Sequence, residues 1–176
     1  MQTLWAPWRM KYILAPKPDT CPFCLPKHMA KPVANAKNSD EKDDEHRFIV
    51  KRGKYSFVLL NKFPYNNGHL MVTPYRHVMD ITELSQDEAY EITDMINLSV
   101  QALKLYCSPQ GLNIGLNMGA AAGAGVAGHI HYHLVPRWNG DSSFMAVLDE
   151  IRVIPEHIEK TYQELLKIFD NLQLES

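Results

Sequence analysis

The sequence predicts an α+β domain: a mainly antiparallel sheet of about five strands, a long helix and a C-terminal helix. Three observations carry this. Short β-rich runs separated by Gly and Asn turns fill residues 48–73. A capped stretch of helical periodicity follows, from Ser85 to about Tyr106. Two more β-rich runs and a second amphipathic stretch, residues 158–169, complete the pattern.

Each element has its own signal. Residues 7–14 fit a short helix stopped by Pro16 and Pro18, and Trp5, Trp8 and Tyr12 are large apolar groups that need something to pack on. Residues 25–47 are polar, with an acidic run from Asp40 to Glu45, and read as an exposed excursion or mobile loop. Residues 48–50 and 56–61 are β-rich around a turn at Gly53. Asn66-Asn67-Gly68 is a turn, because Asn-Gly accepts positive φ cheaply. Residues 69–73 are the next strand, ended by Pro74. Ser85 with Glu88 three residues on forms a capping box. Ala89, Ile92, Ile96, Val100 and Leu103 then mark the buried stripe, and Pro109 and Gly111 stop the helix. Residues 112–116 and 129–135 are the last two strands.

Composition bounds the function. The chain has 176 residues, 45% of them hydrophobic and 22% charged, which is one soluble domain's worth of core. A net charge of −2 does not advertise a broad face for a nucleic acid polymer. No apolar run reaches membrane-spanning length. The start lacks a basic region followed by an apolar stretch, so a cytoplasmic location is expected. Cys21 and Cys24 then suggest a metal knuckle or a redox pair rather than a structural disulfide. Cys107 reads as a small buried apolar residue.

The chemistry concentrates in His129-Ile130-His131-Tyr132-His133-Leu134-Val135. Alternate residues of a strand share a face, so the three imidazoles point one way. Gathering them costs desolvation and, at low pH, repulsion. A metal site or nucleophilic catalysis justifies that cost better than packing does. Residues 119–128 contain only Gly, Ala and Val, and such a loop lets backbone N–H groups approach a phosphate. An imidazole beside a held phosphate can attack phosphorus and split one transfer into two steps.

This motif resembles that of the histidine-triad (HIT) nucleotide hydrolases and transferases. Gly68-His69-Leu70-Met71-Val72-Thr73-Pro74-Tyr75-Arg76-His77 and the strand ending at Asn117 are similar to further segments of that family. Trp5-Ala6-Pro7-Trp8-Arg9, Cys21-Pro22-Phe23-Cys24 and Pro136-Arg137-Trp138-Asn139-Gly140-Asp141 resemble its bacterial diadenosine tetraphosphate (Ap4A) phosphorylase branch.

The resemblance implies a HIT-like fold in one domain over residues 1–176 and a homodimer whose sheets join. His131 would be the nucleophile and form a nucleotidyl-histidine. His133 would bind the phosphate and stabilise its developing charge. Asn117 and the backbone of Gly123, Ala124 and Gly125 would hold phosphate oxygens. Asn61 would hold the ribose, or else be a strand-end turn residue. Trp138, with Trp5 and Trp8, would serve the dimer contact or shape the active site. Cys21, Cys24, His77 and His129 would form a structural Cys₂His₂ zinc centre. His28, His46, His69 and His157 remain solvent or turn residues, with a structural bond open to His69.

Hydrolytic relatives often carry Gln, Ser or Thr in the loop before the triad, able to relay a proton. Residues 119–128 have no such side chain. That favours leaving groups that need little protonation, and inorganic phosphate rather than water as acceptor. The expected reaction is phosphorolysis of Ap4A to ADP and ATP. Hydrolysis of dinucleoside polyphosphates or nucleoside phosphoramidates is the rival within the same chemistry. A regulatory protein that binds adenine nucleotides without turnover, and a metalloenzyme using all three triad histidines, are the rivals from other classes.

Overall fold

The computed structural model describes residues 20–26, 39–141 and 157–172. The expectations for residues 7–14, for Trp5, Trp8 and Tyr12, and for His28 lie outside the described residues.

In chain order the elements are α1 (Ser39–Arg47), β1 (Ile49–Arg52), β2 (Ser56–Leu60), β3 (Leu70–Pro74), α2 (Gln86–Cys107), β4 (Gly111–Leu116), β5 (Tyr132–Arg137) and α3 (Ile158–Asn171). The five strands form one antiparallel sheet in the order β1-β2-β3-β5-β4. The expected α+β class and strand number are met.

Strands β2 and β3 are buried along their whole length, Ser-Phe-Val-Leu-Leu and Leu-Met-Val-Thr-Pro. Their alternation sorts two cores. Val58, Leu60, Leu70 and Val72 face α2 and α3 and pack with Leu98, Leu103, Leu165 and Phe169. Phe57, Leu59 and Met71 face the other way and pack with Ile49 and Phe23. Helices therefore cover one face, and the short segment around Phe23 covers the other. The functional groups lie on that second face.

Helix α2 begins as the capping box predicts. The Ser85 hydroxyl accepts from the Glu88 N–H, and a Glu88 carboxylate oxygen accepts from the Ser85 N–H. Arg76 grips the same carboxylate through two N–H groups at 2.9 and 2.7 Å. Arg76's hydrogen bond, with help from the Ser85 backbone, holds the Glu88 carboxyl at about 2. The buried face is built from Ile92, Met95, Leu98, Ser99, Ala102 and Leu103, while Ile96 and Val100 sit half-buried at its margin. Cys107 is half-buried rather than buried, and desolvation pushes its thiol up to about 11.

Two differences from the sequence reading are informative. Residues 39–47, read as part of a loop, form helix α1. It is a polar helix anchored from outside: Arg52 donates to both oxygens of Asp44, at 2.8 and 2.5 Å. The last strand begins at Tyr132, not at residue 129. His129 to His131 leave the ladder because Ile130 bonds elsewhere: its N–H donates to the Val78 carbonyl and its carbonyl accepts from the Thr73 hydroxyl.

Glu91 of α2 fixes the β1–β2 turn. Its carboxylate accepts from the backbone N–H groups of Lys54, Tyr55 and Ser56 and from the Ser56 hydroxyl, all at 2.7–2.8 Å. A Cβ on Gly53 would meet that carboxylate at 2.4 Å and the Met95 terminal methyl at 2.5 Å, so any side chain there would push the carboxylate away from its backbone donors. We expect Glu91→Ala to destabilise the protein by about 2–4 kcal/mol, because three backbone donors lose their acceptor together. Urea unfolding measures this, and a loss below about 0.5 kcal/mol would show that water replaces the carboxylate freely.

Candidate active site and metal centre

The site is built from β5 and the residues just before it. The rings of His131 and His133 lie 4.8 Å apart. His129, two residues earlier, turns into a separate cluster. Its Nδ1 lies 3.4 Å from the Cys21 sulfur and 3.7 Å from the Cys24 sulfur, and His77 Nδ1 lies 3.2 Å from Cys24. All four ligand atoms fall within 4.8 Å of one another. A tetrahedral centre with Zn–S near 2.3 Å and Zn–N near 2.0 Å has edges of roughly 3.3–3.8 Å, close to the three sulfur–nitrogen separations here, so a small inward shift of the widest pair would make the four groups a ligand set. The donor chemistry fits as well. His129 Nε2 lies 2.9 Å from the Pro74 carbonyl, which can only accept, so the proton sits on Nε2 and Nδ1 offers its lone pair to the cluster. Burial, then the Cys21 sulfur, push the Cys24 thiol up, and a cation between them offsets both effects.

The middle histidine is oriented by the first. His131 Nδ1 lies 2.9 Å from the His129 carbonyl. That carbonyl accepts only, so Nδ1 carries the proton and Nε2 holds the free lone pair. Burial holds the ring's pKa below its usual value, partly offset by this backbone bond.

The third histidine is oriented by His69, a residue read from the sequence as a solvent or turn group with a structural bond left open. His69 is fully buried, and its Nε2 lies 2.9 Å from His133 Nδ1. His69 Nδ1 faces the Tyr65 N–H at 3.1 Å and the Asn61 amide nitrogen at 3.4 Å. The peptide N–H can only donate, so His69 Nδ1 accepts and His69 Nε2 donates to His133 Nδ1. His133 in turn keeps its proton on Nε2. Burial first, and repulsion from His133 and His131 second, hold His69 at about 3; burial and His131 hold His133 at about 4. Both rings stay neutral near pH 7, which preserves this order of protons.

A cavity of about 330 Å³ opens beside these rings. His131, His133, Gly123 and Gly125 line one part, and Phe23, Leu25, Ile49, Phe57, Leu59 and Met71 line an apolar part. Phe23, between the two cysteines, stacks against His131 at 4.7 Å and meets His129 at 5.6 Å. Gly119 and Gly123 have φ of 78° and 87°, conformations that suit glycine and bend the loop toward the cavity.

Of the predicted site residues, the structure brings together His131, His133, Gly123, Gly125 and Asn61. Asn61 combines both of its readings: it lines the cavity, and its side-chain oxygen caps the turn by accepting from the Phe63 N–H. Asn117 and Ala124 do not line the cavity, although the Asn117 amide approaches Gly123 from behind. Trp138 is not brought to it. It lies past the far end of β5, half-buried, and its indole N–H donates to the Cys107 carbonyl. Five residues of extended chain separate it from His133, about 17 Å. His46 lines the cavity mouth, which sequence reasoning missed, and exposed His157 precedes α3 without capping it.

A five-stranded antiparallel sheet carrying His-x-His-x-His beside a Cys₂His₂ cluster defines a narrow class of protein, and comparison agrees with it. The HIT domain family model matches residues 42–140, and the chain belongs to that family. It shares 38% identity over 163 residues with the AP-4-A phosphorylase of Mycobacterium tuberculosis, covering 92% of this chain and 80% of that one. A Zn-bound histidine triad family protein from Mycobacterium smegmatis superposes with a TM-score of 0.58 at 25% identity, over 71% of this chain and 85% of that one. The diadenosine triphosphate hydrolase of Plasmodium falciparum shares the fold, with a TM-score of 0.55 at 22% identity over 71% and 76% of the two chains. No helix among the described residues is long and apolar enough to cross a membrane.

The His69 geometry generates a pH prediction. An unfolded histidine titrates near 6.5, whereas folded His69 titrates at about 3. The unfolded state therefore binds the proton first, and stability falls as pH drops from about 6.5 to about 3. Each proton so withheld contributes a slope of about 1.4 kcal/mol per pH unit. In urea titrations between pH 6.5 and 4 we expect His69→Gln to show a shallower loss than wild type, by about one proton. Equal slopes would mean that His69 is protonated in the folded protein.

Proposed function

We propose that this protein is a nucleotidyltransferase that phosphorolyses Ap4A to ADP and ATP. The observation that carries the reading is the forced proton order around His131 and His133. His131 Nε2 has a free lone pair, and His133 Nε2 has a proton to donate, both at the cavity.

In the first step His131 Nε2 bonds the α-phosphorus of one adenosine. The P–O bond to the neighbouring phosphate breaks, and its electron pair leaves with ATP. His131 Nδ1 keeps its proton, so the ring becomes cationic in the intermediate. The His129 carbonyl 2.9 Å away stabilises that charge. The Nε2–H of His133 donates to a phosphate oxygen as charge builds there. In the second step an oxygen of inorganic phosphate bonds the same phosphorus and the P–N bond breaks. ADP leaves, His131 is regenerated, and the phosphate's proton passes to solvent.

Two features support phosphate as the acceptor. ATP leaves as a stable anion and needs no protonation, and the loop of residues 119–128 offers no side-chain proton relay. The 38% identity with a protein named for Ap4A phosphorylase points the same way. Asn61 holds the ribose, and the backbone at Gly123 and Gly125, which line the cavity, holds phosphate oxygens.

Cys21, Cys24, His77 and His129 would hold zinc as a structural ion, since four protein ligands would leave it no open position. A reducing, cytoplasmic compartment keeps both cysteines available for it. Residues 1–176 act as one domain in a homodimer. Strand β4 is an outer strand of the sheet and its Ile114 is 47% exposed, which suits sheet continuation through a second copy.

Product analysis tests the reaction. We expect ADP and ATP from Ap4A only when phosphate is present, and a loss of at least about 10³-fold in His131→Ala. AMP and ATP formed without phosphate would replace this reading with hydrolysis. Full activity in His131→Ala would remove covalent catalysis altogether.

Metal removal has a separate signature. Phe23 is both cavity wall and part of the cysteine segment, so chelation is expected to weaken AMP binding severalfold as well as lower stability. Calorimetric titration of zinc-loaded and chelated protein reads this directly. Unchanged AMP affinity in folded, metal-free protein would show that the wall stands without the metal.

A further inference from the structure

We propose that Arg47 and Lys62 read the base of the bound nucleotide and favour a 6-oxopurine over a 6-aminopurine. The proposal rests on the reading above, in which His131 takes the α-phosphorus, and it specifies which half of a mixed substrate enters the cavity.

The sheet register sets the direction in which a nucleotide lies. His133 pairs with Met71, Met71 with Leu59, and Leu59 with Ile49. This row leads straight across four strands, away from the phosphate end, for about 14 Å. Beyond His133 its members are apolar and line the cavity, as a flat base requires. The row ends at β1, where two cations line the same cavity. Arg47 stands two residues before Ile49, and Lys62 follows Asn61 just past the end of β2.

Among the described residues neither cation has a carboxylate partner. Arg47 donates one N–H to the Pro22 carbonyl at 3.2 Å, and the Lys62 ammonium lies 5.5 Å from the centre of the Phe48 ring. The nearby Asp44 is held by Arg52. Burial and the charge of Arg47 push the Lys62 ammonium down, the effect expected of two cations crowded without a counter-ion.

A guanidinium and an ammonium donate hydrogen bonds and never accept them. A 6-oxopurine presents O6 and N7, two acceptors on one edge, which is the pattern that Arg and Lys recognise. A 6-aminopurine presents a donor at position 6, which would face further donors and lose its own partner. The apolar wall accepts either ring, so the discrimination rests on this polar end.

The mixed dinucleotide adenosine–guanosine tetraphosphate tests the proposal through its products. If guanosine occupies the cavity, His131 bonds the guanosine α-phosphorus, ATP leaves, and phosphate releases GDP. If adenosine occupies it, the products are GTP and ADP. We expect GDP and ATP to exceed ADP and GTP roughly tenfold with wild type, and the ratio to approach one in the Arg47→Met/Lys62→Met double variant. The ratio is independent of total activity, so a partly unstable variant still reports. A wild-type ratio at or below one, or a ratio that the double variant leaves unchanged, overturns the proposal. If no phosphorolysis occurs in either direction, the reaction assigned above fails, and binding decides the base reading alone. In calorimetric titrations GMP must then bind wild type more tightly than AMP and lose that advantage in the double variant; equal affinities overturn it.

Discussion

The peptide unit of His129 ties the two halves of the site together. Its ring reaches the cysteines through Nδ1 and the Pro74 carbonyl through Nε2, while its own carbonyl holds the proton of His131 Nδ1. On the proposed reading, a metal ligand and the orienter of the nucleophile are thus one residue. The backbone around it is fixed as well, because Ile130 bonds Val78 and Thr73 on either side. Displacing this unit by an ångström would misdirect the lone pair on which nucleophilic attack depends. The departure of residues 129–131 from the regular ladder therefore has a use: the carbonyl that would have served a neighbouring strand serves the imidazole instead.

The remaining geometry is a second ordering chain running in from the opposite side, from the Tyr65 N–H through His69 to His133. Both chains begin at backbone groups whose donor or acceptor role cannot change. The two catalytic tautomers are consequently set by the fold and not by the substrate. Burial reinforces this by keeping the rings neutral, since a protonated His69 or His133 would have no acceptor to offer its neighbour.

The parts of this arrangement that are local in sequence were legible in it. The triad alternates within seven residues, and the Ser85–Glu88 box spans one helical turn. The metal cluster joins residues 53 to 108 positions apart, and only likeness to a family linked Cys21 and Cys24 with His77 and His129. For His69 the sequence left only a structural bond open, without a partner; that partner and its burial come from the pairing of β3 with β5. Helix α1 escaped because its residues are charged and show no apolar stripe, its anchor being a salt bridge to Arg52 on the next strand. Trp138 lies past the end of β5, away from this chain's cavity, where its indole N–H bonds the Cys107 carbonyl, so its position along the strand bears on a dimer contact rather than on this cavity.

The cavity's volume of about 330 Å³ has a consequence for how a two-headed substrate is handled. Among the described residues that space has room for about one nucleotide, so on the proposed reading it would hold one half of a dinucleoside polyphosphate. Such a site would measure only half of a two-headed substrate and would leave the length of the phosphate chain largely to the chemistry of the leaving group. A symmetric molecule offers two equivalent ends to such a site and can enter either way round. Free mononucleotides fit the same space as completely as the substrate does, so the concentration of ordinary nucleotides sets the background against which every encounter competes.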